Sequence, residues 1–281
     1  MKCLIVVNGY FTSEAYDYQV TRIINELQKK GVQSEIYRNN RAFSPDVNFD
    51  CDFCIFLDKD INLAECLEGQ GIKLFNSAAA IKNADSKIKT TIILNKTEDI
   101  KMQKTLFAPK KYNSATDIAF LNQVADRLGF PLVFKSAYGS RGEQVKLINN
   151  IEELIKIDEK YWNEEHLYQE YRNSSAGKSV RVIVVGGKAI GAIKLENTLD
   201  FRSNAYLGGK GSVFELTDEY KSVSEKVSKA MNLDYCGVDL FCDKPIVIEV
   251  NSNAYFKEFE EKTGINTAEI FAEYIMENIN D

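Results

Sequence analysis

The sequence predicts a mixed α/β fold with α+β character, and three patterns carry that prediction. Residues 2–75 alternate short apolar runs with a helical apolar period, the arrangement of a small doubly wound unit. Gly186-Gly187 separates two β-rich runs and Asp243-Lys244-Pro245 separates two more, which are hairpin signals. With 281 residues, 44% of them hydrophobic, the chain can bury a large core divided over two or three subdomains.

In chain order, KCLIVV reads as the first strand, and a helix follows over 16–30 with Val20, Ile23, Ile24 and Leu27 inward. SEIYR, DFCIFL, a short helix and KLF complete this unit. No G-x-G-x-x-G follows the first strand, so a dinucleotide site is not expected there. Arg38 and Arg41 stand after the second strand as candidates for an acceptor site, or as solvated arginines. From Asn76 the pattern turns helical, with Ala79, Ile81, Ala84, Ile88 and Ile92 on one stripe and Lys87 near the middle. A loosely ordered segment to Tyr112 comes next, then a helix over 116–128 ended by Gly129.

Leu132 to Lys135 and Gln144 to Ile148 read as strands joined by a turn bearing Gly139, Ser140, Arg141 and Gly142. Glycines there let backbone N–H groups approach an anion, with Lys135 supplying charge; a plain hairpin turn is the alternative. A helix over 151–161 precedes a short strand over 167–171, whose free backbone groups beside Glu170 could meet an adenine edge. The Gly186-Gly187 register gathers Val182, Val184, Ala189, Gly191 and Ile193 on one face and puts Arg181 with Lys194 on the other, which suits an anionic ligand or simple exposure. Residues 200–204 and 207–211 read as a polar, glycine-rich loop in which Arg202 points to an acid or phosphate. Helices over 217–231 and 267–278 frame the second hairpin.

That hairpin, GVDLFCDKPIVIEVN over 237–251, has apolar residues at Val238, Leu240, Cys242, Ile246, Ile248 and Val250. Pairing across the turn sets Asp239 opposite Glu249 and Gly237 opposite Asn251. Facing carboxylates repel unless something positive lies between them. Hard oxygens without His or Cys suit Mg²⁺ or Mn²⁺, and a site with few protein ligands suits a cation that also holds phosphates. A wet polar strand face is the bland alternative.

Composition excludes several classes. A net charge of −6 argues against a nucleic-acid scaffold. The apolar run after Met1-Lys2 is too brief for a signal peptide, no stretch reads as a membrane span, and six sparse cysteines point to reduced thiols in a cytoplasmic protein. Cys51 and Cys54 form a lone C-x-x-C inside an apolar run, read as buried structural thiols. His166 is the single histidine, and no nucleophile motif accompanies it.

Taken together, FNSAAAIKNADSKIKT, FPLVFKSAYGSRGEQV, YQEY, GKSVRVIVVGGKAIGAIK, DFRSN, GVDLF and IEVNSNA resemble, in order and spacing, the ATP-grasp superfamily and most closely its RimK-type branch of amino-acid ligases. The likeness spans Asn76 to the C-terminus. It implies an ATP-grasp fold with a Rossmann-like first domain at 1–75, a central lid subdomain at 76–172 and a C-terminal metal-bearing subdomain at 173–281. For ATP it implies Lys87, Lys135, the Gly139–Ser140–Arg141–Gly142 hairpin, Gln169, Glu170, Tyr171, Lys178, Ser179, Arg202 and Asn204. Asp239, Glu249 and Asn251 would hold Mg²⁺ or Mn²⁺, two ions by the family's pattern, and Arg181, Lys194 and Arg202 would act on the transferring groups.

The implied chemistry joins a small acid or peptide C-terminus to an amino acid such as glutamate through an acyl phosphate. Neither nucleic acid nor membrane is an implied partner, and a dimer or tetramer stays open. Several positions depart from the family's pattern: Ser179 replaces the usual ribose-binding Asp, Leu195 and Leu207 replace common basic residues, and NSNAYFK replaces the N-x-S-P-G ending. An ATP-grasp kinase acting on a hydroxyl and a noncatalytic nucleotide-binding module are the alternatives.

Overall fold

The computed structural model describes residues 1–41, 43–44, 46–139, 142–203 and 209–279. Ser140, Arg141, Asn204 and Leu207 therefore lie outside the described residues. Three sheets organise the chain. The first contains β1 (Lys2–Val7), β2 (Gln33–Arg38), β3 (Phe53–Phe56) and β4 (Lys73–Phe75), all parallel in the order β2-β1-β3-β4. Helix α1 (Glu14–Lys29) is capped by Ser13 and α2 (Ile61–Gly69) by Asp60, each side chain accepting a first-turn N–H. Val20, Ile23 and Leu27 of α1 are buried as their spacing predicts, in a core that continues into the C-terminal part of the chain.

The long helix expected after Asn76 is two: α3 (Ala78–Asp85) and α4 (Lys87–Leu94). Ser86 breaks them with ψ of 109° while its hydroxyl accepts from Lys89 N, so it ends one helix and caps the next. Because of the break, the single predicted stripe fails. Ala79 is exposed, while Ala78, Ala80, Ile81 and Ala84 are buried on α3 and Thr90, Thr91 and Leu94 on α4. Lys87 becomes the first residue of α4, with its N donating to Ala137 O at 2.9 Å.

The second sheet runs β5-β8-β6-β7 and is antiparallel: β5 (Thr105–Phe107), β8 (His166–Glu170), β6 (Leu132–Ser136) and β7 (Val145–Ile148). Strand β5 corrects the expectation of loose order before Tyr112; its short TLF run is ordered by pairing with β8. Helices α5 (Ile118–Leu128) and α6 (Ile151–Lys160) pack on this sheet around Phe134 and Tyr168. His166 is buried, 3.0 Å from the Tyr168 hydroxyl, which in turn donates to Asp158 at 3.1 Å.

The third sheet runs β11-β10-β9-β12-β13: β9 (Lys178–Val185), β10 (Lys188–Glu196), β11 (Lys210–Phe214), β12 (Tyr235–Leu240) and β13 (Val247–Asn251). Lys210 and Gly211, expected in a loop, open β11 instead, paired with Glu196 and Leu195. Helix α7 (Asp218–Met231) covers one face of the sheet; α8 (Lys257–Thr263) and α9 (Thr267–Asn278) share a core with α1 and the first sheet.

Two bulges alter the expected faces. The β9–β10 register shifts between Ala189 and Gly191, setting Arg181 opposite Ile193 and Lys194 opposite Val180. Arg181 and Lys194 thus face opposite ways, contrary to the expected shared face. The β12–β13 register shifts after Asp239–Glu249 so that Leu240 meets Val247. Val247 takes the core position expected of Ile248, and Ile248 turns out of the core.

All six cysteines are free; burial pushes the thiols of Cys51 and Cys54 up, as suits structural rather than reactive groups.

Candidate functional site

Between the second and third sheets lies a cleft enclosing about 820 Å³ of space, open solvent included. At its charged end Lys87 and Glu249 stand beside Gly139 and Lys135. Val133, Val145, Phe241 and Ile248 supply apolar walls, with Gln103, Tyr171, Arg172 and Arg202 also in the lining. Apolar walls beside cationic side chains suit a ligand that is part aromatic and part anionic.

The ordering of α4 delivers Lys87 to the charged end. Its Nζ donates to Gly139 O at 3.0 Å and lies 3.5 Å from Glu249 Oε1. Lys135, the fourth residue of the fully buried strand β6, sits nearby. Burial lowers its pKa from 10.5 to about 8, with Glu249 opposing the fall and Lys87 adding to it. Burial alone would raise the pKa of Glu249, but Lys87 and Lys135, then Lys59 and Arg181, hold it below its ordinary value. Gly139 has φ of +144°, and a Cβ there would meet Gln144 Oε1 at 2.2 Å, so only glycine fits this turn.

Asp239 and Glu249 are ladder partners, as are Gly237 and Asn251. Arg181, the cross-strand partner of Asp239 on its other side, grips it with Nε–Oδ1 and Nη2–Oδ2 distances of 2.7 Å each. Burial alone would lower the guanidinium pKa, but Asp239, with Glu249 and Tyr235 adding to it, holds it above its ordinary value. Asn251 donates Nδ2 to Asp239 Oδ2 at 3.2 Å. The donors are all hard oxygens, which fits Mg²⁺ or Mn²⁺. No group of three or more His, Cys, Asp or Glu side chains gathers as a metal site among the described residues. A cation here would take two carboxylates, with the Asn251 amide turned over, and fill its remaining positions with ligand oxygens and water.

Arg202 forms a two-pronged pair with Asp200 and also donates Nη1 to Gly142 O at 2.6 Å and Val145 O at 3.3 Å. It thereby ties the β6–β7 hairpin to the segment after β10. Arg172, just beyond β8, binds Asp243 in the β12–β13 turn with Nη2–Oδ2 at 2.8 Å, and the Ser174 and Ser175 hydroxyls donate to the same carboxylate at 2.9 and 2.8 Å. These bonds hold the Asp243 carboxyl well below the usual range.

The structure brings Lys87, Lys135, Gly139, Gly142, Tyr171, Lys178, Arg202 and Glu249 together around one cleft. Ser179 is buried with its hydroxyl 2.6 Å from that of Ser203, a cleft residue. Gln169 lies in a smaller cavity behind Lys135. Lys194 is not gathered with Arg181; its Nζ donates to Glu196 at 2.6 Å. Sequence reasoning gave no site role to Gln103, Phe201, Phe241 or Ile248, although the last three stand inside the DFRSN, GVDLF and IEVNSNA runs; the bulge is what turns Ile248 to the cleft.

Among the described residues, no helix is long and apolar enough to cross a membrane. A family model for the RimK-like ATP-grasp domain matches residues 84–275. Human N-acetylaspartylglutamate synthase A is 34% identical over 230 residues, 78% of this chain and 56% of that protein, so the match spans little more than half of that relative. A probable alpha-L-glutamate ligase of Maridesulfovibrio salexigens is 31% identical over 216 residues, 75% of this chain and 69% of that protein. In fold, D-alanine–D-alanine ligase of Bacillus anthracis, solved with ATP, superposes with a TM-score of 0.74 at 21% identity, covering 100% of this chain and 97% of the other.

Proposed function

Because this chain belongs to the RimK-like ATP-grasp family, we propose that it is an ATP-dependent carboxylate–amine ligase that joins an amino acid to a small acid or a peptide C-terminus, forming ADP and phosphate. The single observation behind this is the cleft itself: apolar walls beside Lys87, Lys135 and Glu249, with Gly139 and Gly142 in the lining. Relatives whose names carry glutamate favour glutamate as the amine donor.

In this reading the base lies in the apolar slot and the phosphates run toward Gly139. Lys87 and Lys135 neutralise phosphate oxygens, and charge reaching Lys135 keeps it protonated despite burial. Asp239, Glu249 and Asn251 would hold Mg²⁺ or Mn²⁺, which supplies charge neutralisation along the phosphates when bound. The substrate carboxylate attacks the γ-phosphate, giving an acyl phosphate and ADP; the amine then attacks the acyl carbon and releases phosphate, with its proton passing to solvent. Arg181 and Arg202 supply positive charge for the transferring oxygens.

The test is mass spectrometry of products formed from ATP, Mg²⁺, pooled amino acids and candidate acids, with ADP followed in parallel. ADP release that needs both an acid and an amine, with a product lighter than their sum by one water, is expected. Release that needs only an alcohol would overturn the ligase in favour of a kinase.

A further inference from the structure

Between α4 and β5 the chain crosses the β12–β13 hairpin at its bulge. Met102 forms a parallel bridge with Val247, whose N donates to Lys101 O at 3.0 Å. The next residue, Gln103, is 6% exposed and lines the cleft with Tyr171 and Ile248. Its Nε2 donates to Glu170 O at 3.0 Å. Around it, Lys104 N donates to the Glu170 carboxylate at 3.1 Å and Glu170 N to Lys104 O at 3.0 Å.

The amide of Gln103 is therefore oriented: the atom meeting a carbonyl must carry the N–H, which leaves Oε1 as the free acceptor. That oxygen accepts no hydrogen bond from the described residues, and unlike the oxygens of Gln144 and Gln169 it is not sealed from solvent. It is a fixed acceptor on a residue that lines the cleft together with apolar walls that suit a flat base.

Resting on the nucleotide reading above, we propose that Gln103 is a specificity-determining residue that reads the 6-position of the purine. A 6-amino group donates to Oε1. A 6-oxo group brings an acceptor against an acceptor, leaving both unpaired in a water-poor slot, and that asymmetry is how sites built to accept a hydrogen bond discriminate. Glu170 O and Oε1 already accept from Gln103 and Lys104, whereas Gln103 Oε1 carries no bond of its own among the described residues.

Displacement of a fluorescent ATP analogue by ATP and by inosine triphosphate tests this on the full chain. Wild type should prefer ATP by about tenfold or more, and Gln103→Leu should cut the preference to about threefold or less, with the loss on the ATP side. Equal weakening of both nucleotides would make Gln103 merely structural, and an unchanged preference would remove it from base recognition; either overturns the proposal. If Gln103→Leu does not fold, as judged by its melting curve, Gln103→Met is held to the same outcomes. Failure of wild type to bind ATP at all would bring down the nucleotide reading and this inference together, whereas ATP binding with an unaltered preference brings down the inference alone.

Discussion

Arg181 and Asp239 face each other across β9 and β12 in a two-pronged ion pair, with both N–O distances at 2.7 Å. On its other side Asp239 is the ladder partner of Glu249, so the guanidinium offsets the charge of Asp239 beside a second carboxylate. Arg181→Ala leaves Asp239 without that partner and should cost about 3 kcal/mol in urea denaturation. Millimolar Mg²⁺ should then raise the melting temperature of the variant more than that of wild type. Equal rises would show that cation and guanidinium do not share the site.

Lys135 sets a pH dependence of definite sign. Its folded pKa is lowered to about 8 from 10.5, mainly by burial, so between those values the unfolded chain holds a proton that the folded one has lost. Stability from this group rises with pH across that window, and the penalty is full below it. Lys135→Met should exceed wild type in stability by up to about 3 kcal/mol at pH 7, with the gap closing toward pH 10. A gap independent of pH would refute the assignment.

Glu249 joins the acidic pair to both lysines. Glu249→Gln keeps the shape of the side chain but removes the charge that Lys87 and Lys135 face. ADP formation should fall by about 100-fold, with the protein still folded by circular dichroism. Near-normal turnover would remove Glu249 from the proposed metal set.

Arg202 fastens the hairpin through the carbonyls of Gly142 and Val145. Arg202→Ala should speed chymotrypsin cleavage after Tyr138, already 49% exposed, by about threefold to tenfold, and Arg202→Lys should restore only part of the protection because a lysine lacks the fork. Unchanged cleavage would show that the hairpin is held elsewhere.

Much of this was legible in the sequence because local signals agreed with one another. Gly186-Gly187, the Asp239–Glu249 pairing and the strand and helix order of the first domain all follow from turn chemistry and apolar period. What was not legible depends on single-residue irregularities. Ser86 divides a helix whose apolar period alone gives no reason to stop, and the extra residues at Ile190 and Ile248 reverse every face beyond them. Gln103 and Phe241 reach the cleft through contacts far apart in sequence, which no local pattern encodes.

The Arg172–Asp243 contact ties the β12–β13 turn to the segment after β8 through a charged pair and two hydroxyls. Elsewhere in the cleft Arg202 and Lys87 rest on the carbonyls of Gly142 and Gly139. An incoming anion competes with those carbonyls for the same two cations, so binding there exchanges a neutral acceptor for a charged one.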